Sequence, residues 1–600
     1  MGNTSARGGA VRGFEHPAAF WAGTVACSVG VLLHLPMYYS ARHMGYQMSG
    51  MSPDAPMITG MALILLGLPL VLYGLLPRRS GELARTAARV RVRPLDDAPL
   101  RAQHVILLMV MAVAVTIDVM KPATLSFITP GVAKEYHLLP ANKHSYTTVA
   151  WLPLFGIGGT VLGSWLWGSL GDRIGRRASI MFAGILFVST SICGTMPSFG
   201  WNLLMCLLMG IGAGGMLPVA FTLLSETMPK RHRGWTMMLV GGEVAAAYVL
   251  VSSLSAWLTP HYSWRIMWLI GLPTGLLLIA LNKWIPESPR YLITRGRVEE
   301  AEAVMARYGA VVSAVPLPRT GPAPIGPPGL AAGLGLAADP GSVAGPGWTA
   351  DPGLAVGPGS AADPGSVADP GSVADPGSVA DPASHRGSVI DFVRRPMLGT
   401  SIAIALLGLG VGLVTYGFQQ WVPTNIQRLG YSAVASDYVV RNAALIGLPL
   451  TILAAWMYGV LGSRRTIIAF CVLTAATLIG FVVAGDSLAH NRLLLSVLLV
   501  VPLSATSSLA AVAVGYAAEV YPTRVRTRGA GLAAGMTKLG GVLILAVVVA
   551  RATVPSIAQT AVIGAVPLAA AILAFWWTGA ETKGRSLEAI AGEELVGEPV

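Results

Sequence analysis

The chain is poor in charged residues and in cysteine. Asp, Glu, Lys and Arg make up 12% of its 600 residues, whereas a soluble protein averages about 25%, so an ordinary solvated globular domain is excluded. The cysteines fall in apolar stretches without the close spacing of zinc ligands; they are Cys27, Cys193, Cys206 and Cys471. We therefore expect neither a disulfide framework nor a zinc site.

The sequence also lacks the motifs of soluble enzymes. It has no Gly-rich phosphate loop of the Walker type and no evident pairing of a nucleophile with a base, so we predict no enzyme activity and no cofactor. The net charge of +12 could indicate a nucleic-acid partner in a soluble protein. In a membrane protein, basic residues instead mark the cytoplasmic loops, and we expect no nucleic-acid binding.

Long apolar runs fill most of the chain. Hydrophobic residues make up 54%, and apolar runs of about 20 residues recur, which predicts an all-α integral membrane protein. We predict 14 spans. Two extra N-terminal spans lie near 18–36 and 57–77. The first set of six lies near 103–128, 147–169, 178–196, 201–224, 235–258 and 264–285. The second set of six lies near 399–421, 438–461, 465–485, 492–515, 530–550 and 556–578.

Basic residues predict the orientation of these spans. With both termini in the cytoplasm, most Lys and Arg residues lie on the cytoplasmic side. A basic stretch precedes the first set of six and could also bind anionic lipid head groups; it contains Arg78, Arg79, Arg85, Arg89, Arg91, Arg93 and Arg101. We expect a multi-pass plasma-membrane protein, and the Ala-, Gly- and Pro-rich composition suggests a bacterial inner membrane.

A Pro-, Gly-, Ala- and Ser-rich segment at 312–388 separates the two sets of six spans. It contains Asp-Pro-Gly-Ser-Val-Ala three times in tandem at 363–380. Such a composition cannot build a packed core, which predicts a disordered cytoplasmic linker; a tolerated insertion is favoured over a partner-docking segment. The predicted domains are an N-terminal extension at 1–101, a first half at 102–311, this linker, a second half at 389–580 and a tail at 581–600.

The two sets of six repeat one pattern at the end of their fourth span. The first reads Glu226-Thr-Met-Pro229 and continues to Arg233-Gly234; the second reads Glu519-Val-Tyr-Pro522 and continues through Arg526 to Arg528-Gly529. Repeated halves are typical of secondary transporters, whose substrate site lies near the membrane midplane between them.

A short polar turn is expected at 168–177, between two apolar segments. It reads Gly168-Ser-Leu-Gly-Asp172-Arg173-Ile-Gly175-Arg176-Arg177. Glycine allows two helices to end and approach closely, and arginine retains the turn on the cytoplasmic side.

With these motifs, the chain resembles the major facilitator superfamily over about 103–311 and 389–590. The stretch 168–177 matches the superfamily's cytoplasmic signature. Pro286-Glu287-Ser-Pro-Arg290-Tyr-Leu292 and Glu581-Thr-Lys-Gly-Arg-Ser-Leu-Glu588 resemble the sugar-porter branch and its organic-ion and synaptic-vesicle-glycoprotein relatives. The resemblance implies a major facilitator fold of two six-helix halves. It also implies a conformational gating motif made of Gly168, Asp172, Arg173, Gly175, Arg176, Arg177, Glu226, Arg233, Glu287, Arg290, Glu519, Arg526, Arg528 and Glu581.

The sequence departs from the family in two places. Cys206 stands where the family usually has an arginine in its fourth span, which suggests a thinner charge network at the inner gate. The glutamine pair typical of sugar binding is missing, because Gln419 and Gln420 come too late in the seventh core span, and this places a sugar substrate in doubt.

Four ionisable residues within predicted spans are candidates for proton coupling or substrate binding: Asp118, Lys121, Glu243 and Lys538. Each charge in a span costs about 2.5–3.5 kcal/mol. Asp118 could carry a proton, or it could form a self-satisfied pair with Lys121, and both interpretations stay open. Glu243 and Lys538 occupy equivalent positions in the repeat. Lys538, with Lys121, could attract an anionic group, or the Glu243 and Lys538 side chains could reach to the cytoplasmic face.

The loop after the first span is rich in methionine and histidine; in and around it lie His34, Met37, His43, Met44, Met48, Met51 and Met57. Such ligands suit Cu(I), but methionine more often packs. We favour packing and predict no metal site.

Together these features predict a secondary active transporter of a small organic solute, an organic acid or ion or a sugar-like compound. We expect proton-coupled symport by alternating access, with the solute, protons and the lipid bilayer as partners and the oligomeric state open. The alternatives are a proton-coupled antiporter or exporter, and a membrane sensor or receptor that no longer transports.

Overall fold

The computed structural model describes residues 16–76, 95–138, 149–310, 392, 397–417, 419–423, 426, 432–484, 492–522, 525–551, 557–585 and 590. The predicted linker at 312–388, most of the basic stretch and most of the C-terminal tail lie outside these residues. The predicted domain boundaries that fall there stay predictions.

The described residues form α-helices and short 3₁₀ turns, and none of them lies in a strand. The extension supplies α1 (Pro17–Met44) and α2 (Ala55–Leu75). The first half contains α3 (Ala102–Glu135), α4 (Trp151–Ile174), α5 (Arg176–Thr195), α6 (Phe199–Thr227), α7 (Lys230–Tyr262) and α8 (Ile266–Trp284). The second half contains α9 (Leu398–Gly417), α10 (Ala433–Leu461), α11 (Ser463–Ala484), α12 (Arg492–Val520), α13 (Arg526–Arg551) and α14 (Ile557–Thr578). Two short helices, Pro289–Thr294 and Val298–Arg307, follow α8.

A helix lies at each predicted span, which confirms the all-α membrane fold. Within the described residues, 13 helices are long and apolar enough to cross a membrane. Helix α4 is not among them, although it has 24 residues, because its glycines and tryptophans lower its hydropathy. The count of 14 spans therefore stays a prediction.

The prediction of a ten-residue turn at 168–177 was wrong. Helix α4 continues to Ile174 and α5 begins at Arg176, so Gly175 alone connects them. Gly175 has φ +98°, a conformation that favours glycine, and an added Cβ would lie 2.4 Å from Glu287 Oε2. The polar residues before it look like loop residues in the sequence, whereas they extend α4 by about two turns beyond its apolar part.

The two halves meet along two helix pairs, α4 with α13 and α7 with α10. Small residues bring the first pair together: a Cβ added at Gly168 would lie 3.2 Å from Thr527 O, and one added at Gly531 would lie 2.7 Å from Ser164 O. Close backbone approach of this kind is how membrane helices associate when lipid offers no hydrophobic gain.

The extension is a glycine-packed helix pair that rests on the first half. A Cβ added at Gly30 would lie 2.6 Å from Gly60 O, and the pair shares a hydrophobic core with α5 and α8. Its loop is fixed to the first half because Met48 N and Ser49 N donate to Glu135 Oε1, at 2.8 and 3.1 Å. Glu135 in turn forms a buried ion pair with Arg265 at 2.7 Å.

Candidate functional site

A cavity of about 90 Å³ lies between the halves. Helices α3, α4, α6 and α7 line it from the first half, and α9, α12 and α13 line it from the second. Its walls are mainly apolar, with a few hydroxyl groups, two tyrosines and two ionisable side chains. The polar members are Asp118, Thr160, Tyr248, Thr415, Tyr416, Ser507, Thr537 and Lys538. A mostly apolar pocket with few convergent polar groups is typical of a small-molecule site.

Asp118 and Lys538 give this cavity one acid from the first half and one base from the second. Asp118 is 5% exposed, and its Oδ1 finds no hydrogen-bond partner in the described part of the chain. Lys538 Nζ donates to Ser164 Oγ at 3.1 Å and lies 3.5 Å from Gly214 O. The Lys538 charge also acts on Asp118. The lysine therefore bonds across the interface between halves and remains close enough to influence the acid.

The other two predicted ionisable residues lie elsewhere. Lys121 is buried, and its Nζ packs against Gly271 of α8, where it lies 1.9 Å from the position that a Cβ added to Gly271 would occupy. It therefore lies against α8 and does not line the cavity. Glu243 is half-buried and accepts from Thr116 Oγ1 of α3 at 3.4 Å. The structure thus brings Asp118 and Lys538 into one cavity and separates Lys121 and Glu243 from it.

The end of the bundle that carries Gly175, here called the hairpin face, is closed by an ion cluster between the halves. Arg176 Nη2 lies 3.2 Å from Glu226 Oε1, and Arg526 Nη1 lies 3.9 Å from the same oxygen. None of the three residues is more than 5% exposed. We call Arg176, Glu226 and Arg526 the hairpin-face latch, because Arg526 belongs to the second half and the other two to the first.

Neighbouring residues of the predicted gating motif support this latch. Asp172 Oδ1 lies 3.4 Å from Arg176 Nη2, and the same arginine donates to Thr527 Oγ1 at 3.4 Å. The charge of Arg528 acts on Asp172, and that of Arg290 acts on Glu226. Asp172 therefore lies beside the start of α13.

Two equivalent glutamates cap helices at this face. Glu287 accepts from Arg176 N at 2.8 Å and from Arg177 N at 3.3 Å, so it satisfies the first amides of α5. Glu581 accepts from Ser463 N at 2.8 Å and does the same for α11. Burial raises the pKa of Glu287 above its ordinary value. Arg173 contributes its carbonyl oxygen, which accepts from the Tyr291 hydroxyl at 3.2 Å.

The two remaining motif residues, Arg233 and Glu519, are not bonded to each other. Arg233 forms a buried ion pair with Asp96, and Glu519 Oε2 accepts from the Tyr458 hydroxyl at 2.8 Å. Asp96, which precedes the first core span, is a further residue of this site that the sequence motifs do not include. The signal in the sequence is a pair of adjacent acids, Asp96 and Asp97, at the end of an otherwise basic stretch.

Two of the methionines and both glutamines singled out in the sequence are packing or bonding residues in the structure. Met37 and Met48 are 3% and 0% exposed, whereas Met44 is 52% exposed, and His34 Nδ1 bonds to Gly30 O at 2.7 Å. Gln420 Oε1 accepts from Ser126 Oγ at 3.0 Å, and Gln419 Nε2 donates to Pro502 O at 2.7 Å. Within the described ranges, no group of three or more His, Cys, Asp and Glu residues could hold a metal.

Comparison with known proteins agrees with this architecture. The sequence profile of the Major Facilitator Superfamily matches residues 105–544. The niacin transporter NiaP of Acinetobacter baylyi is 26% identical over 509 residues, which cover 83% of this chain and 99% of that protein. Organic cation/carnitine transporter 7 of Arabidopsis thaliana is 30% identical over 194 residues, 32% of this chain and 37% of that protein.

Among solved structures, the proton:xylose symporter XylE of E. coli bound to 6-bromo-6-deoxy-D-glucose has a TM-score of 0.57 at 16% identity. The match covers 82% of this chain and 98% of that one, and at this identity it shows a shared fold. The profile match spans most of the chain, and the full-length relative is a transporter of a small solute. The chain therefore belongs to the Major Facilitator Superfamily and is a secondary transporter of small solutes, not an enzyme.

Proposed function

We propose that this protein is a proton-coupled symporter that imports a small organic anion across the plasma membrane. In this proposal Asp118 carries the proton and Lys538 binds the anionic group of the substrate. The observation that carries it is that one cavity is lined by an acid from the first half, the buried Asp118, and a base from the second half, the partly buried Lys538.

The lining of the cavity favours an aromatic or heteroaromatic carboxylate. Lys538 supplies a cation with more than one donor hydrogen, and Tyr248 and Tyr416 offer ring surfaces for a flat substrate. Hydroxyl groups such as those of Thr160 and Thr415 can bond a ring nitrogen or a second oxygen. Niacin, the solute named for the relative NiaP, is a pyridine carboxylate, and nicotinate is the first compound to test.

Charge balance explains why a proton and an anion would travel together. In the empty cavity the ionised Asp118 offsets the charge of Lys538, and such attraction is strong where water is scarce. When Asp118 takes up a proton, Lys538 loses that counter-charge and a substrate carboxylate replaces it. The loaded cavity then has the same net charge as the empty one, so neither state leaves a buried charge uncompensated.

Alternating access would move these ligands across the membrane. We assign the hairpin face to the cytoplasm, with both chain termini on that side, because the basic residues cluster there. The hairpin-face latch closes this side, and its separation would open the cavity inward as the halves rock about the site. Protease digestion of terminal tags in sealed right-side-out vesicles tests the orientation: protected tags support it, and cleaved tags contradict it.

Uptake of labelled nicotinate into proteoliposomes tests the coupling. We expect accumulation when the outside is acidic. Asp118→Asn should abolish this pH-driven accumulation and retain substrate exchange at equal pH, because only the proton site is lost. Lys538→Met should raise KM by about 10- to 150-fold, the equivalent of one charged hydrogen bond.

Lys121→Met is the matched comparison, since it removes a buried lysine that lies three residues from Asp118 and faces away from the cavity. It should leave KM and pH dependence close to those of the unaltered protein. Undiminished pH-driven accumulation by Asp118→Asn would contradict the proton-carrier role. A panel of carboxylates, sugars and cations at two pH values identifies the substrate class. Accumulation driven by an outward proton gradient would indicate antiport, and binding without flux would indicate a sensor.

A further inference from the structure

Counted from the two glutamates of the repeat, Arg526 follows Glu519 at the same spacing as Arg233 follows Glu226. This symmetry would allow two equivalent ion pairs between the halves, and the described residues form one of the two. Arg526 reaches across the interface to Glu226 of the first half, at 3.9 Å. Twofold pseudo-symmetry would place Arg233 against Glu519 of the second half. That pair is not formed.

Both members of the missing pair lie close together but bind other partners. A Cβ added at Gly234, next to Arg233, would lie 3.9 Å from Glu519 Oε1, and the Arg233 charge acts on Glu519. The guanidinium of Arg233 nevertheless pairs with Asp96, while Glu519 bonds to Tyr458 of its own half. The pair between Arg233 and Glu519 is therefore not missing because the two residues are far apart. It is missing because Asp96 competes with Glu519 for Arg233.

Asp96 is held in place by its own backbone, because Lys230 N donates to Asp96 O at 3.1 Å. The neighbouring Asp97 also pairs with Lys230 Nζ, at 2.6 Å, but its side chain is exposed, and an exposed ion pair contributes little. Asp96 is 5% exposed and Arg233 is 3% exposed, so water does not compete for the pair. Asp96 also precedes residue 105, where the match to the family profile begins. The competing acid thus comes from the segment that links the extension to the transporter halves.

We propose that Asp96 is a positioning residue that holds Arg233 away from Glu519, so that a single ion cluster closes the hairpin face. Asp96 and Arg233 both belong to the N-terminal side of the interface, and their pair persists when the halves separate. A pair between Arg233 and Glu519 would break each time the hairpin face opens, and breaking it would raise the free energy of opening. Asp96 therefore makes opening of this face easier. The proposal needs alternating access only, and it is independent of proton coupling or substrate identity.

The test measures the conformation of the full-length chain. The native cysteines at 27, 193, 206 and 471 are buried, so spin labels at Glu299→Cys and Arg585→Cys, which are exposed positions on the hairpin face of each half, report the distance between halves. Asp96→Asn should free Arg233 to pair with Glu519. We expect the distance distribution to shift toward the closed state and the maximal transport rate to fall by about 5- to 30-fold, with KM little changed.

Two further variants separate this role from a purely structural one. Adding Glu519→Gln to Asp96→Asn should restore both the distance distribution and the transport rate, because the new pair has lost its acid. Asp97→Asn is the matched control: its side chain is 67% exposed, exposed ion pairs contribute little, and both measurements should stay unchanged. A defect in Asp96→Asn that Glu519→Gln does not rescue would overturn the proposal.

If Asp96→Asn does not fold, Arg233→Gln provides the same test from the other side. The proposal places Arg233 outside any ion pair between halves. The closed fraction of Arg233→Gln should therefore equal that of the unaltered protein, whereas a shift toward the open state would show that Arg233 closes the face and would refute the proposal.

Discussion

The hairpin-face latch predicts a large shift in conformation when Glu226 loses its charge. In Glu226→Gln, the buried Arg526 loses the carboxylate that the other half supplies. The ion pair of Arg176 with Glu226 lies within the first half, so its loss affects open and closed states equally. Removing one partner of a buried ion pair costs about 3–5 kcal/mol, and because Arg526 Nη1 lies 3.9 Å from Glu226 Oε1, we take the lower value of about 3 kcal/mol. In the open state Arg526 can bind water, so this cost falls on the closed state, and the closed-to-open ratio should drop by about 150-fold.

Spin-label distances between Glu299→Cys and Arg585→Cys measure this ratio, and Glu519→Gln is the matched control. Glu519 is the equivalent residue of the second half, but its bonded partner Tyr458 lies in the same half. The loss of that bond affects open and closed states equally, so the distance distribution should change little. An unchanged distribution in a folded Glu226→Gln protein, or an equal effect of both variants, would refute the reasoning.

Three further predictions concern stability. Gly462→Ala should lower the free energy of unfolding by about 1–3 kcal/mol, because Gly462 has φ +94° and the added Cβ would lie 2.5 Å from the Glu581 carboxylate. Gly584→Ala is the control, since Gly584 has φ +72° but nothing within 4 Å of the added Cβ. Equal losses of thermal stability in the two variants would show that the contact with Glu581 contributes nothing. Gly60→Val should lower the melting temperature and leave transport intact, because it separates α2 from α1, where its Cβ would lie 2.5 Å from Gly30 O; an unchanged melting temperature would contradict this packing. Since burial raises the pKa of Glu287 above the ordinary 4.5, the folded chain binds this proton more tightly than the unfolded chain. Stability should therefore fall as pH rises from about 4.5 through the raised pKa, and Glu287→Gln should flatten that part of the profile; an identical slope in both proteins would exclude Glu287 as its source.

The sequence located the helices well where apolar composition decides their position. The last span was predicted at 556–578 and is found at Ile557–Thr578, because an apolar run of that length must lie where the bilayer is. Helix ends were predicted less well. The first core span was predicted to end at 128 and continues to Glu135, and α4 extends past 169 to Ile174. Helical turns beyond the apolar region carry polar side chains, which look like loop residues in a sequence.

Composition and the signature motifs were enough to determine the fold class. They could not determine the partners of the individual charged residues. Asp118 and Lys121 are three residues apart, yet Asp118 meets Lys538 in the cavity while Lys121 packs against Gly271. Arg233 and Arg526 have equivalent places in the repeat, yet Arg526 contacts the other half and Arg233 binds Asp96. Spacing along the chain fixes which face of a helix a residue occupies. Which neighbour that face meets depends on the packing of helices distant in sequence, and that is decided only when the whole bundle forms.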